Sequence, residues 1–146
     1  MKRRLQLLFL ILIVSIIGLS SCTKSPELSL IGNWKVTECH EEGDAFIELK
    51  EGDTWSFTNG GAFSGSFEGG FFLSSCDYVC DGNSLTLRGG DFANWHVENK
   101  PAEIIYRLDI DNLTNESLTV SGTGGLYIGG VVADCIWTIQ ATFKRK

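Results

Sequence analysis

The residues of this sequence with the greatest chemical potential are its five cysteines. They stand at Cys22, Cys39, Cys76, Cys80 and Cys135 in a chain of 146 residues. A cysteine can accept an acyl group, bind a metal or form a disulfide, and its setting decides between these fates. Cys22 stands apart from the other four, because it follows an apolar segment and two small serines near the start of the chain.

The segment before Cys22 has the layout of a bacterial export signal. Residues 2–4 are basic, residues 5–19 are almost wholly apolar, and serines occupy positions 20 and 21. This apolar run is shorter than the roughly 20 residues that a membrane-spanning helix needs. We therefore predict a cleaved signal peptide over residues 1–21. A retained anchor helix is the alternative.

Leu19-Ser20-Ser21-Cys22 resembles the lipobox of bacterial lipoproteins. The resemblance implies that Cys22 is acylated and begins the mature protein, with a lipidated tether over residues 22–30. The membrane is then a partner through a lipid anchor at Cys22, and the expected location is the bacterial cell envelope, on the outer membrane. The full chain has 18 acidic and 12 basic residues and a formal charge of −6, which disfavours nucleic acid as a partner.

The four remaining cysteines are expected to form two disulfides. Their number is even, and the export signal places them in an oxidising compartment. Zinc is the competing partner for four thiols, but zinc sites usually contain two close pairs of ligands. Only Cys76 and Cys80 are close in sequence, and no histidine stands beside them. We therefore predict disulfides among Cys39, Cys135, Cys76 and Cys80, and neither a metal nor another cofactor.

The sequence contains no familiar catalytic motif, so we predict a protein that is not an enzyme and assign no catalytic residues. A Gly-x-Ser-x-Gly nucleophile elbow, a P-loop and a His-Glu-x-x-His motif are all missing from the sequence. His40 and His96 are expected at the surface. Asp109 and Asp111 share one face of a strand with Arg107, which indicates a solvated row. A hydrolase or isomerase that uses residues near His96 is the weakest alternative.

Alternating apolar residues predict about eight β-strands and no amphipathic helix. Trp34 and Val36 fall on one face of the first strand, and Trp55 and Phe57 fall on one face of a later one. Glycine-rich stretches such as Asn59-Gly60-Gly61 are interpreted as turns, and so is the segment 122–125. Short strands at near-regular spacing predict an all-β domain over residues 31–146, either a barrel or a sandwich.

Both ends of this domain carry short motifs. Gly32-Asn33-Trp34 forms a Gly-x-Trp motif on the first strand, and residues 144–146 are all basic. Together with the lipobox, these features resemble the small lipocalin-like lipoproteins of the Bacteroidota. The resemblance implies an up-and-down antiparallel eight-stranded lipocalin-like (calycin) barrel. It also implies that Gly32 and Trp34 form the barrel floor, with Trp34 packed against one of the terminal basic residues.

Aromatic residues on the inward faces are the candidates for a ligand site. They are Trp55, Phe57, Phe63, Phe67, Tyr106 and Trp137. An eight-stranded barrel has room for packed side chains or for one small ligand. We predict a lipid-anchored, non-enzymatic protein whose barrel binds a small apolar ligand or an envelope protein. The alternative is a structural or interaction module with a filled barrel and no ligand.

Closure of the barrel by its first and last strands leads to a prediction for the disulfides. If these strands pair antiparallel with Cys39 opposite Cys135, Trp34 lies opposite Gln140 and the basic terminus lies beyond the floor. Trp34 and Cys39 have opposite parity on the first strand, so this register requires a bulge or a one-residue shift. The other two cysteines then pair with each other.

Overall fold

The structure, a computed structural model, describes residues 30–45, 47–67, 71–89, 96–97 and 99–146, without the side chains at 67, 71–75, 96, 97 and 134. The predicted signal peptide, the predicted lipidation site Cys22 and the predicted tether as far as residue 29 lie outside the described residues. Within the described residues, no helix has the length and apolar character needed to cross a membrane. The elements with defined bounds are nine strands: β1 (Gly32–Gly43), β2 (Thr54–Phe57), β3 (Ala62–Phe67), β4 (Phe71–Asp81), β5 (Ser84–Gly89), β6 (His96–Val97), β7 (Lys100–Leu113), β8 (Ser117–Ile128) and β9 (Val131–Arg145).

Eight of these strands form one closed, up-and-down barrel. Neighbouring strands are antiparallel and follow the order β5-β4-β3-β2-β1-β9-β8-β7, and β5 also pairs with β7, which closes the ring. β6 is a two-residue strand beside the start of β7, where it pairs with Lys100 and Pro101. The predicted all-β, up-and-down antiparallel eight-stranded barrel of lipocalin-like form is confirmed.

The alternation on β1 changes halfway along the strand. Trp34 and Val36 are fully buried, and the residue between them is exposed, as a half-buried strand requires. The pairing with β9 shifts between Val36 and Glu38, which marks a β-bulge. Beyond the bulge, Cys39 and Glu41 lie on the inner side of the barrel. The bulge or shift that was predicted between Trp34 and Cys39 is therefore confirmed.

The predicted register between β1 and β9 is wrong, although the two strands do pair antiparallel. Trp34 lies opposite Arg145 rather than Gln140, and Cys39 lies opposite Ala141 rather than Cys135. The buried residues of the two strands face the same interior in this register, and Arg145 reaches Trp34. Burial of apolar side chains and this contact set the register, because a slip of one residue would turn every side chain to the other face.

The predicted disulfides Cys39–Cys135 and Cys76–Cys80 are absent from the structure, in which all four residues are thiols. Six residues of β9 separate Cys135 from the position opposite Cys39, which corresponds to about 20 Å along the strand. Cys76 and Cys80 are four residues apart on β4, which corresponds to about 13 Å. A disulfide needs Cα atoms within about 7 Å of each other. The even number of cysteines carries no information about these distances.

The Gly-x-Trp motif forms the closed end of the barrel, where β1 begins. The indole Nε1 of Trp34 donates a hydrogen bond to the carbonyl oxygen of Leu30 at 2.7 Å. The guanidinium carbon of Arg145 lies 4.3 Å from the centre of the Trp34 ring, and its Nη1 donates to the carbonyl oxygen of Ile31 at 2.7 Å. Gly32 has a φ of +134°, which favours glycine, and a Cβ there would lie 2.5 Å from this Nη1, so a side chain would displace Arg145. Arg145 is thus the terminal basic residue that packs on Trp34.

Candidate functional site

The barrel interior holds the aromatic residues that were predicted to form a ligand site. Five of the six are buried, with at most 2% of each residue exposed: Trp55, Phe57, Phe63, Tyr106 and Trp137. Four strands supply these residues, namely β2, β3, β7 and β9. The sixth, Phe67, is the last residue of β3, and its side chain lies outside the described part of the structure.

In the half of the barrel nearer the closed end, aromatic rings pack on one another. The ring centre of Trp55 lies 5.4 Å from that of Phe63 and 4.7 Å from that of Phe143. Phe57 contacts both Phe63, at 5.2 Å, and Tyr78, at 5.1 Å. These separations are typical of aromatic pairs in a packed core. Side chains therefore fill this half, as the structural-module alternative requires.

Towards the opposite end, which we call the distal end, a few polar atoms lie among the apolar side chains of the interior. Glu41 lies on the inner side of β1, two residues before Gly43, which is opposite Trp137. Gly124 of β8 pairs with Trp137 on one side and with Tyr106 of β7 on the other. The ring centres of Tyr106 and Trp137 are 5.7 Å apart and the rings are nearly perpendicular. We call Glu41, Tyr106 and Trp137, which occupy two adjacent rows of the inner wall, the distal site.

Four buried polar atoms of the interior have no hydrogen-bond partner among the described residues. They are Oε1 of Glu41, Nε1 of Trp55, the hydroxyl oxygen of Tyr106 and Nε1 of Trp137. Buried polar groups are nearly always hydrogen-bonded, and leaving one unpaired costs about 1–3 kcal/mol. Three of these four atoms belong to the distal site. The site therefore contains a carboxyl oxygen, a hydroxyl and an indole N–H whose hydrogen bonds are not completed by the described residues.

Two glycines of β8 lie where neighbouring groups approach the strand closely: Gly124 faces the Trp137 indole and Gly122 faces the backbone of β7. A Cβ at Gly124 would lie 2.6 Å from Nε1 of Trp137, closer than carbon atoms of side chains approach. A Cβ at Gly122 would lie 2.9 Å from Cα of Leu108 on β7. The prediction of a turn over residues 122–125 is wrong, because β8 continues through them to Ile128. These glycines serve close approach between neighbouring groups rather than a change of chain direction.

The connection between β1 and β2, residues 44–53, is attached to the interior carboxylate. Oε2 of Glu41 accepts a hydrogen bond from the backbone N–H of Leu49 at 3.1 Å. The side chains of Ile47 and Leu49 are buried in the core. The buried Asp53 stabilises the same segment, because its Oδ2 accepts from the backbone N–H of Lys50 at 2.8 Å. Glu41 thus uses one oxygen to hold the connection, while the other stays buried in the barrel.

The surroundings of the distal site disfavour negative charge on its groups. Burial is the largest influence on Glu41 and raises its pKa, while the hydrogen bond from Leu49 acts in the opposite direction. The neighbouring carboxylates of Glu48 and Asp53 raise the pKa of Glu41 further. Burial also raises the pKa of the Tyr106 hydroxyl, and the charge of Glu41 adds to this effect. Negative charge at the site is therefore costly unless a positive group accompanies it.

The raised pKa of Glu41 predicts a pH dependence of stability. Between the ordinary carboxyl pKa and the raised one, the folded protein binds more protons than the unfolded chain. The contribution of Glu41 to stability is therefore present at low pH and is lost as the pH rises through that interval. We expect Glu41→Gln to remove this loss as the pH rises above the ordinary carboxyl pKa, measured as the free energy of unfolding in urea.

The matched control for this prediction is Glu38→Gln, which changes an exposed carboxylate on the same strand. This variant should lose stability with rising pH as the wild type does. A pH profile of Glu41→Gln that runs parallel to the wild-type profile would contradict the raised pKa of Glu41.

Cys39 should be an unreactive thiol in the folded protein. Burial, followed by the charges of Glu41 and Asp53, raises its pKa to about 12. At pH 8 the thiolate, which is the reactive form, is then present in about one molecule in 10,000. We expect iodoacetamide at pH 8 to alkylate Cys39 at least about 100-fold more slowly in the folded protein than in guanidinium chloride, measured by peptide mass spectrometry without reductant.

Two outcomes of this experiment would contradict the structure. Fast alkylation of Cys39 in the folded protein would show that the thiol is not shielded. Resistance to alkylation after unfolding would show that Cys39 is held in a disulfide.

The other sequence candidates lie away from the interior site. His40 is exposed on the outer face of β1, 3.1 Å from Glu42, and lines an open surface depression of about 380 Å³. Asp109 and Asp111 are exposed on β7, as expected of a solvated row. His96 belongs to β6, but its side chain lies outside the described residues. No group of three or more potential metal ligands occurs in the part of the chain that the structure describes.

Glu41 is the functional candidate that sequence reasoning missed. A strict two-residue alternation starting at Trp34 places Glu41 on the outer face. The bulge between Val36 and Glu38 reverses this alternation and turns Glu41 inward. The bulge predicted between Trp34 and Cys39 would have placed Glu41 inward, although that prediction came from a pairing of Cys39 with Cys135 that the structure does not contain.

Comparisons of the chain with protein-family models, with curated proteins and with solved structures find no match. The barrel itself follows directly from the pairing of the strands. The likeness to lipocalin-like lipoproteins stays a prediction. The distal site and the N-terminal segment are then the features of this chain that indicate a function.

Proposed function

We propose that this protein is a lipid-anchored, non-enzymatic protein of the bacterial cell envelope whose barrel binds a small, largely apolar ligand. The observation that carries the proposal is the distal site, where three buried polar atoms without partners lie among aromatic side chains inside a closed barrel. Such atoms are usually completed by a ligand, by water or by other protein groups. A mostly apolar lining with a few polar groups is also the usual composition of a small-molecule site.

The packed rings around Trp55 favour a second candidate function, a structural or interaction module with a filled barrel. In this case internal water would complete the hydrogen bonds of the distal site. An envelope protein would then bind the outer surface of the barrel.

Calorimetric titration of the full-length protein with 1-hexanol separates the two candidates. This probe has a short apolar body and one hydroxyl that can pair with the distal site. Ligand binding predicts a saturable heat with one site per chain and a negative change in heat capacity, because apolar surface is buried. Heat that does not saturate would exclude a site for this neutral ligand and favour the filled module.

The position of Leu30 supports attachment of the barrel by its closed end. Leu30 is buried there, and its carbonyl oxygen accepts the hydrogen bond from Trp34. Cys22 precedes Leu30 by eight residues. A chain of this length reaches at most about 28 Å when it is fully extended. An acyl group on Cys22 would therefore keep the closed end near the membrane surface.

Replacing Cys22 by alanine should abolish lipidation, because alanine has no thiol to accept the acyl group. In cells supplied with an alkyne analogue of palmitate, we expect a labelled wild-type protein and an unlabelled Cys22→Ala variant of larger apparent mass. Cys135→Ala removes a different thiol and should keep the label. Labelling of Cys22→Ala at the wild-type level would contradict the anchor.

A further inference from the structure

The distal site contains a carboxyl group, that of Glu41, with no positive partner among the described residues. Glu41 is the carboxylate on its inner wall, and Glu48 and Asp53 lie close enough to influence its ionisation. Lys50, the basic residue of the same connection, is about half exposed and pairs instead with Glu48 at 3.7 Å. None of the ion pairs in the described part of the chain involves Glu41.

The unpaired atoms of the site match a group that donates hydrogen bonds. Oε1 of Glu41 and the hydroxyl oxygen of Tyr106 can both accept, whereas Nε1 of Trp137 can only donate. A primary ammonium donates three hydrogen bonds and carries the charge that Glu41 lacks. It is also attracted to aromatic faces, which Tyr106 and Trp137 supply. An acceptor atom elsewhere on the same ligand would accept the hydrogen bond that Nε1 of Trp137 can donate.

We propose that the distal site binds a small organic cation, a primary ammonium on a short apolar body, with Glu41 as its counter-ion and the Tyr106 hydroxyl as a second acceptor. This specifies the ligand class of the proposed function and rests on that function. The formal charge of −6 on the chain favours the approach of a cation. A fatty carboxylate is disfavoured, because it would place a second negative charge beside Glu41.

Three probes with the same six-carbon body test this preference on the full-length protein. They are hexylammonium, 1-hexanol and hexanoate, each titrated at pH 7.5 by calorimetry. We expect hexylammonium to bind at least about tenfold more tightly than 1-hexanol, because a charge-assisted hydrogen bond is stronger than a neutral one. Hexanoate should bind most weakly of the three. Equal or tighter binding of 1-hexanol or hexanoate would overturn the cation preference and leave the proposed ligand site intact. Binding of none of the three would overturn both and indicate a site completed by water.

A pair of variants assigns the preference to Glu41. Glu41→Gln keeps the shape of the side chain and its acceptor for Leu49, and should bring hexylammonium to within about twofold of 1-hexanol. Glu38→Gln removes an equal charge from the outer face and should keep the wild-type preference. An unchanged preference in Glu41→Gln would overturn the assignment.

A measurement on the wild type keeps the proposal testable if Glu41→Gln does not fold. Hexylammonium stays charged throughout the range from about pH 5 to about pH 8, whereas Glu41, Glu48 and Asp53 are the carboxyls that can ionise around the site. Its affinity should rise with pH as Glu41 loses its proton, and the affinity of 1-hexanol should not. An affinity for hexylammonium that is independent of pH would overturn the role of Glu41 as counter-ion.

Discussion

Replacing Trp34 by alanine is expected to lower the free energy of unfolding by about 3–5 kcal/mol, the usual cost of truncating a buried tryptophan. Trp34 is fully buried at the closed end of the barrel. Its indole N–H is bonded to Leu30, and its ring lies beneath the guanidinium of Arg145. Truncation leaves a cavity, removes the cation–π contact and deprives a buried carbonyl of its donor. The loss is a large share of the stability of a domain of this size, which is about 5–15 kcal/mol.

Unfolding in urea, followed by circular dichroism, measures this loss. Lys35→Ala changes the exposed neighbour of Trp34 on the same strand and should alter the free energy of unfolding by less than about 0.5 kcal/mol. If Trp34→Ala were as stable as Lys35→Ala, Trp34 could not be the floor of the barrel.

Gly122→Ala should destabilise the barrel by about 3 kcal/mol, the upper end of the range for overpacking. The added Cβ would lie 2.9 Å from Cα of Leu108 and 3.0 Å from the carbonyl carbon of Arg107. Both atoms belong to the backbone of β7, which cannot move aside as a flexible side chain can. The two strands must separate near the middle of their pairing, which weakens hydrogen bonds between β7 and β8.

The shift in urea midpoint of Gly122→Ala can be compared with that of Ser121→Ala, which changes the adjacent residue without adding volume. Ser121→Ala should stay within about 0.5 kcal/mol of the wild type. A midpoint of Gly122→Ala equal to that of the wild type would contradict the close approach of β7 and β8 at this glycine.

The strands and their closure could be predicted from the sequence because the apolar residues alternate in long runs. On β7, the side chains that face the barrel interior follow a period of two: Ile104, Tyr106, Leu108 and Ile110. Short antiparallel strands with inward aromatics leave few architectures other than a barrel or a sandwich. The contact of Trp34 with a terminal basic residue was also expected, because it followed from the Gly-x-Trp resemblance.

The register and the distal site could not be predicted because both depend on the bulge in β1. The sequence does not show at which residue the alternation changes, and the bulge was inferred only from the pairing of Cys39 with Cys135, which the structure does not contain. A single extra residue turns every later side chain of the strand to the other face. Glu41 therefore looked like one more solvated carboxylate, and Cys39 was placed opposite the wrong partner. The number of cysteines likewise could not reveal that the two predicted pairs, Cys39–Cys135 and Cys76–Cys80, lie too far apart for disulfides.

Quenching of tryptophan fluorescence by 6-bromo-1-hexanol tests most directly whether a ligand enters the barrel at the distal site. Bromine quenches an indole only at short range, and 1-hexanol is the matched competitor without bromine. The full-length protein should show saturable quenching that 1-hexanol reverses. Trp137→Phe should lose most of this quenching, whereas Trp34→Phe, altered at the closed end, should keep it. Quenching that rises linearly with concentration and is equal in both variants would contradict a ligand site inside this barrel.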